Sequence, residues 1–522
     1  MRKYLYFTIF VAGMGSLAIE MAASRLLSNV YGTSNLVWAA IIGLILIYLA
    51  AGNFVGGKWA DRSPQKKTFF TILLFAGLST ALVPLIAQPI LRAAADAFDQ
   101  LQIGMIIGAF VSVMILMVIP IILLGMASPF SIRIIADEAE MQPNQLGRLS
   151  GQVYAISTVG SFLGTFLPGL ILIPTIGTYQ TFVLLGGLLA VIAFIGLIRS
   201  EGYRFSLRFS WVILIIVLLA LFGIQRTIKS NANMIYEKES AYNYIQVLEI
   251  GDFRYLRLND GQGQHSVYAP NDYYYGGPWS QVLVAPYFNE APVYPSEIQR
   301  IAIVGLAAGT TARQASVAYP DAIVDGWEID PVIIEVGEEY FGMDLPNLNA
   351  YAEDGRWGLE HSPYTYDIIS VDAYRPPYIP PHMTTREFFK IAYDHLEEDG
   401  VLVINVGRTD TDRRLINALA TTMKIHFPTV HAMDLPLAYN TILFATKQPT
   451  TKENFAENIM VLWEDERVDD LLRYAMNNTY ANFAEDPQTS IVFTDDKAPI
   501  EWMTNNLMLA FALGGELSTL EP

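Results

Sequence analysis

Apolar residues fall into two regimes along the chain. Up to residue 225 they form long, almost unbroken stretches at 4–24, 36–57, 68–91, 103–128, 151–173, 178–198 and 209–225. About 20 residues at 1.5 Å rise cross a 30 Å hydrocarbon core, so the pattern predicts about seven membrane-spanning helices. The seventh, FSWVILIIVLLALFGIQ, is the shortest. Pro120 predicts a kink in the fourth, and Pro129 limits its far end. After residue 240 the period changes. YNYIQVLEI and FRYLRL alternate as strands do, which predicts a small β meander over 240–270. Short β-branched runs follow: IAIVG (301–305), AIVDGWEI (322–329), LNAYA (348–352), DIISVD (367–372), VLVINV (401–406), VHAMDL (430–435) and NTILFATK (440–447). Helical segments such as TTREFFKIAYDHLEE separate most of them, which predicts a mostly parallel, doubly wound sheet. The short connection before the last run predicts a final antiparallel strand.

Charge sharpens the division. Residues 1–225 hold 13 Lys and Arg against 8 Asp and Glu, whereas residues 226–522 hold 20 against 43. Mean hydropathy of +0.32 is high for a soluble protein. The first part therefore reads as membrane-embedded and the second as a strongly acidic soluble domain. That acidity argues against nucleic acid, whose phosphates need a basic face. It is compatible with a cationic ligand such as a polyamine, although a solvated acidic surface accounts for it more readily. The chain has no cysteine, and its six histidines show no paired ligand spacing, so no metal is expected.

Orientation follows from loop charges. With the N-terminus inside, the inner segments carry Arg2, Lys3, Lys58, Arg62, Lys66, Lys67, Arg133, Arg148, Arg199, Arg204 and Arg208, and the outer ends only Arg25 and Arg92. Seven spans then put the soluble domain outside the cytoplasm of a multi-pass protein of the cell membrane. Glu20 and Arg25 lie within the first span, where ionisable groups are costly, and read as an ion pair or a polar pocket. Gly160, Gly164 and Gly169 read as close helix packing.

In a doubly wound sheet a ligand sits beyond the C-terminal strand ends at the switch point. Gly305 and Gly309 flank the first such turn, where backbone approaches ligand closely. Glu328 ends the second strand, 23 residues after Gly305, where a carboxylate can accept both ribose hydroxyl protons. Asp354 and Gly355 end the third strand and Asp372 the fourth. A glycine pair alone is compatible with a structural turn, but together with three strand-end carboxylates it points to an adenine nucleoside.

The soluble half resembles the spermidine/spermine synthase family of aminopropyltransferases, particularly its membrane-fused members. EMAASRLLSNVYGTSNLVWAAIIGLILIYLAAGNFVGGKWADR is similar to their opening spans, and HMTTREFF and FTDDKAPIEWM are similar to further phrases of those members. LNDGQGQ resembles the family's DGxxQ and puts Gln264 near the donor. VGLAAGTTARQ, WEIDP, EDGR and YDIISVDAYRPP resemble its glycine-rich turn, ribose strand end, adenine-side motif and catalytic strand end. The resemblance implies a Rossmann-like domain of methyltransferase type at 296–450. Around it lie a transmembrane domain at 1–225, a linker with a small β subdomain at 226–295, and a helical segment and tail at 451–522 packing on the soluble domain. It also implies aminopropyl transfer from decarboxylated S-adenosylmethionine to a small amine, with Asp372 catalytic. A homodimer through the soluble domain is expected.

Two departures bear on the substrate. Ala308 stands where the family's GGGDGG has an aspartate for the donor ammonium, and Arg375 where the second aspartate of D-S-S-D binds the acceptor amine. Asp495, Asp496 and Glu501 are candidates to supply the missing charge. Tyr275, within the cluster Tyr273, Tyr274, Tyr275 and Trp279, is a candidate acceptor wall, or part of a packed loop or membrane-facing surface. The alternatives are a methyltransferase using S-adenosylmethionine itself and a non-catalytic membrane transporter or sensor.

Overall fold

The computed structural model describes residues 1–31, 35–101, 105–223, 233–259, 263–374, 379–408, 412–436, 438–485 and 489–504. The chain forms two compact units, Met1–Ser230 with Glu239–Ala241, and Asn231–Lys238 with Tyr242–Pro522.

The first unit is helical: α1 (Arg2–Tyr31), α2 (Asn35–Arg62), α3 (Lys66–Leu101), α4 (Met105–Gly125), α5 (Ala127–Glu138), α6 (Leu146–Leu167), α7 (Ile173–Glu201), α8 (Tyr203–Ser206) and α9 (Ser210–Phe222). Among the described residues, six helical stretches are long and apolar enough to cross a bilayer. One of them, Leu146–Glu201, is 56 residues long and holds both 151–173 and 178–198. Within it a π-helical turn at Pro168–Leu172 is followed by Gly177, whose φ of 76° and ψ of 168° are not helical, so two helices meet there, where the sequence separates the two spans. Helix α4 ends at Gly125, shortly before Pro129. That proline lies in the first turn of α5, where an amide hydrogen has no intrahelical acceptor to lose.

Backbone contact joins α1 to α6. A Cβ on Gly160 would lie 2.1 Å from the Phe10 carbonyl oxygen, and one on Gly164 2.1 Å from that of Met14. Small residues permit this approach, and dispersion between the helices rewards it. Gly169 meets nothing within 4 Å and plays no such part.

In the second unit, β1 (Met234–Glu239), β2 (Tyr244–Ile250), β3 (Phe253–Leu258) and β4 (Ser266–Tyr268) form a sheet in chain order, starting earlier than the expected meander. A seven-stranded sheet follows: β5 (Arg300–Val304), β6 (Ile323–Glu328), β7 (Leu348–Ala352), β8 (Tyr366–Val371), β9 (Leu396–Gly407), β10 (Thr429–Asp434) and β11 (Asn440–Thr446). Its order is β10-β11-β9-β8-β5-β6-β7. The strands from β9 to β7 are parallel, whereas β11 is antiparallel to both β9 and β10. Helices α10 (Thr310–Ala318), α11 (Pro331–Tyr340), α12 (Gly355–Glu360), α13 (Arg386–Asp394), α14 (Arg414–Met423), α15 (Lys452–Leu462) and α16 (Asp470–Ala481) complete the unit. Alternation along β5 buries Ile301 and Ile303 in one layer and Ala302 and Val304 in the other, so both faces are covered. Helix α13 ends at Asp394, short of the expected Glu398, because β9 starts at Leu396 to pair with Tyr366. The order reverses between β5 and β8, and the crevice of a doubly wound sheet opens at such a reversal.

Candidate active site

The turn after β5 is shaped by contact with its neighbours. Gly305 has φ 93°, and a Cβ there would lie 2.6 Å from Ala373 Cα and 2.8 Å from the Asp372 carbonyl carbon. Only glycine allows the end of β8 to lie this close. The amides of Gly305 and Leu306 both donate to the Trp327 carbonyl, at 3.0 and 2.9 Å. Gly309, at φ 82°, caps α10.

Glu328 ends β6 and is buried. Its two oxygens accept from the amides of Ala307 (3.0 Å) and Asp330 (3.1 Å). Burial pushes its carboxyl up to about 7, against the pull of those bonds. Asp330 in turn caps α11 through Val332 N (3.1 Å) and accepts from Asn243 Nδ2 (2.9 Å). Asn259 Nδ2 donates to Asn243 Oδ1 at 2.9 Å, which fastens the end of β3 to this corner. Residues 260–262 of the LNDGQGQ phrase lie outside the described residues, and Gln264 follows them, half-buried, before β4. Beside it Ser266 Oγ accepts from the Ala308 amide at 2.9 Å. Ala308 is fully buried in a cluster with Ile245, Val247, Ile333, Val336 and Phe341.

Asp354 caps α12 by accepting from Trp357 N at 3.0 Å. His382 Nε2 lies 3.2 Å from its other oxygen, and that bond chiefly holds the carboxyl below its usual value. A Cβ on Gly355 would lie 2.6 Å from Val304 Cγ1, so the start of α12 rests on β5. Arg356 donates to both oxygens of Asp495 at 2.8 Å and to the His382 carbonyl at 2.7 Å. Thr385 Oγ1 adds a bond to Asp495 at 2.7 Å. With Arg356 so close, the Asp495 carboxyl falls to about 2. Its charge is thus taken up at the nucleoside corner. Asp496 is exposed and Glu501 half-buried.

Asp372 follows β8, and its amide donates to the Val304 carbonyl at 3.0 Å. Asn405 Nδ2, from the end of β9, donates to Asp372 Oδ1 at 3.0 Å. Asn440 Nδ2 donates to Asn405 Oδ1 at 2.9 Å and fixes the orientation of that amide. Burial pushes the Asp372 carboxyl up to about 6, the Asn405 bond opposing it. The Tyr374 hydroxyl donates to the Asn405 carbonyl at 3.0 Å and accepts from Gly407 N at 3.1 Å. Arg375 lies outside the described residues.

The Tyr275 hydroxyl accepts from Arg313 Nη1 at 2.9 Å, and the guanidinium lies over the rings of Tyr268 (4.2 Å) and Tyr273 (5.0 Å). This aromatic cluster therefore already holds a cation of the protein's own. Gly305, Glu328, Asp354 and Asp372 all lie at the C-terminal ends of β5, β6, β7 and β8, adjacent strands of one sheet. Asn405, His382 and Arg356 escaped the sequence reading. Arg356 and His382 nonetheless lie in the phrases EDGR and HMTTREFF, and Asn405 is the one polar side chain in the apolar run VLVINV.

Residues 293–458 match the model of the spermine/spermidine synthase domain. A "Probable polyamine aminopropyl transferase" of Bifidobacterium longum is 32% identical over 284 residues, covering 52% of this chain and 62% of its own length. A "Polyamine aminopropyltransferase" of Vibrio vulnificus is 33% identical over 190 residues, covering 34% and 60%. The chain thus spans about three fifths of the length of these curated relatives. The solved spermidine synthase from Thermotoga maritima aligns with a TM-score of 0.40 at 18% identity, covering 51% of this chain and 96% of that one.

Proposed function

We propose, from a C-terminal part that carries a spermine/spermidine synthase domain, that this protein is a membrane-bound aminopropyltransferase. Its donor is decarboxylated S-adenosylmethionine, its acceptor a small amine, and methylthioadenosine leaves. The observation that carries this reading is the state of Asp372. It is a carboxylate beside the glycine turn, held through one oxygen by Asn405, and no cationic side chain among the described residues pairs with it.

The amine nitrogen attacks the methylene carbon bonded to the donor sulfonium. The C–N bond forms as the C–S bond breaks, its electron pair neutralises the sulfur, and the extra proton on nitrogen passes to Asp372 and then to water. An alkylammonium of pKa near 10 is about one part in a thousand neutral at pH 7, so a carboxylate poised at about 6 is a better proton acceptor than an ordinary aspartate. Glu328 accepts from the ribose hydroxyls with its remaining lone pairs, Asp354 lies on the adenine side, and Gln264 near the donor. Asp496 and Glu501 remain candidates for the acceptor, and a homodimer through the soluble unit belongs to the same reading.

Ala308 favours a second reading. S-adenosylmethionine balances its ammonium with its own carboxylate, so an apolar residue at this turn costs it less than it costs the decarboxylated donor. Incubation with each donor and a diamine separates the two. Methylthioadenosine release supports aminopropyl transfer, and adenosylhomocysteine release supports methyl transfer. Donor binding without either product would leave a sensor or transporter.

The helical unit sits in the cell membrane in this reading, with the sheet unit outside the cytoplasm as the loop charges suggest. Resistance to carbonate extraction tests the first point. Protease accessibility in sealed cells tests the second, and a protected sheet unit would overturn it.

A further inference from the structure

Helix α1 carries a polar ridge through the interior of the helical unit. Thr8, Ser16, Glu20, Ser24 and Ser28 recur at intervals of four or eight residues, and side chains four apart share one helix face. All are buried, with Ser16 and Glu20 only 7% and 5% exposed. Most of the hydroxyls are satisfied locally: Thr8 donates to the Tyr4 carbonyl, Ser24 to that of Met21 and Ser28 to that of Arg25, at 2.8, 2.8 and 2.9 Å.

Glu20 and Ser16 differ. Ser16 Oγ is buried with no hydrogen-bond partner. Among the described residues neither a hydrogen bond nor an ion pair reaches the Glu20 carboxyl. Arg25 does not neutralise it, since its Nη2 donates to the Ser240 carbonyl at 2.8 Å. Ala12, Ile19 and Ala23, three or four residues from Ser16 or Glu20 along α1, are buried and apolar. A buried hydroxyl without a partner, beside a carboxylate with no counter-charge, is costly unless something completes them. An ionisable group inside a membrane helix is retained chiefly where it binds or conducts.

We propose that Glu20 and Ser16 form an intramembrane binding site for the primary ammonium group of an alkylamine. A primary ammonium offers three N–H donors, and the site offers three acceptors: both Glu20 oxygens and Ser16 Oγ. Hard metal cations need six or more oxygens, and the carbonyls of α1 are already used within the helix. The neighbouring α1 residues are apolar, which matches the chemistry of an alkyl chain. The proposal rests on the helical unit lying in a bilayer, which carbonate extraction tests separately, and it does not depend on catalysis.

Saturation binding of radiolabelled 1,4-diaminobutane to the full chain in nanodiscs tests it. The wild type is expected to bind one more equivalent per chain than Glu20→Gln, a nearly isosteric change that removes the charge. Ser16→Ala is expected to weaken that equivalent about tenfold while keeping the stoichiometry. Propylamine should displace it, and sodium at equal concentration should not. Equal stoichiometry in wild type and Glu20→Gln overturns the site, and displacement by sodium overturns its assignment to an ammonium.

Discussion

Asn405 Nδ2 holds Asp372 Oδ1 at 3.0 Å and leaves Oδ2 without a protein partner among the described residues. The bond both orients the carboxylate and opposes the rise in pKa that burial causes. Asp372→Asn is therefore expected to lower methylthioadenosine release by about 10²–10⁴-fold while donor binding persists. The acid limb of kcat/KM should lie near pH 6, where Asp372 titrates. Asn405→Leu removes the opposing bond and should move that limb to higher pH. Full turnover by Asp372→Asn would remove the residue from the chemistry.

The same burial sets a stability cost. Glu328 is raised to about 7 from 4.5, and Asp372 to about 6 from 3.8. A carboxyl whose folded pKa is raised supports folding fully below its unfolded pKa, and that support is lost as pH rises through the folded value. Unfolding of the sheet unit should thus become easier between about pH 4 and pH 7, by on the order of 2–3 kcal/mol from Glu328 alone. Asp372→Asn removes one of the two terms and should flatten the dependence of Tm on pH. A variant as steep as the wild type would show that Asp372 is not desolvated.

The two units and most strands could be read from periodicity, because hydrophobic period reports burial and burial decides the element. VLVINV and NTILFATK became neighbouring strands as their composition required. The site was legible only where chemistry coincides with a strand end, as at Glu328 and Asp372. His382 and Arg356 act through partners far away in sequence, Asp495 being 139 residues from Arg356, and no local pattern marks such pairs. The break between the spans 151–173 and 178–198 was legible too, because Gly177 falls in it. Pro174, Thr175, Thr178 and Gln180 around it supply the polar, helix-breaking interruption by which a turn is recognised.

Arg356 ties α12, the segment around His382 and the segment around Asp495 together, and His382 in turn bonds Asp354. Arg356→Lys keeps the charge but loses the two-pronged bond. It should raise the KM for donor roughly fivefold to tenfold while kcat changes less than threefold. Arg356→Ala should act more strongly in the same direction. Because Asp495 is partly exposed, the effect on Tm should stay small. Equal losses in kcat and kcat/KM would instead implicate Arg356 in the transition state.

Ala308→Asp tests which donor the site is built for. The Ala308 methyl is fully buried beside Ile333, Val336 and Phe341, so a carboxylate there would lie in an apolar cluster without a partner. A buried unpaired charge costs several kcal/mol, and at about 2–4 °C per kcal/mol for a unit of this size the Tm should fall by roughly 5–10 °C. A donor that carries an ammonium at this point supplies the missing partner. Decarboxylated S-adenosylmethionine should then restore more of the lost Tm in Ala308→Asp than it adds to the wild type, whereas methylthioadenosine, lacking the ammonium, should not. If both nucleosides restore it equally, the donor's amine does not reach Ala308, and the acid missing from this turn has no bearing on donor choice.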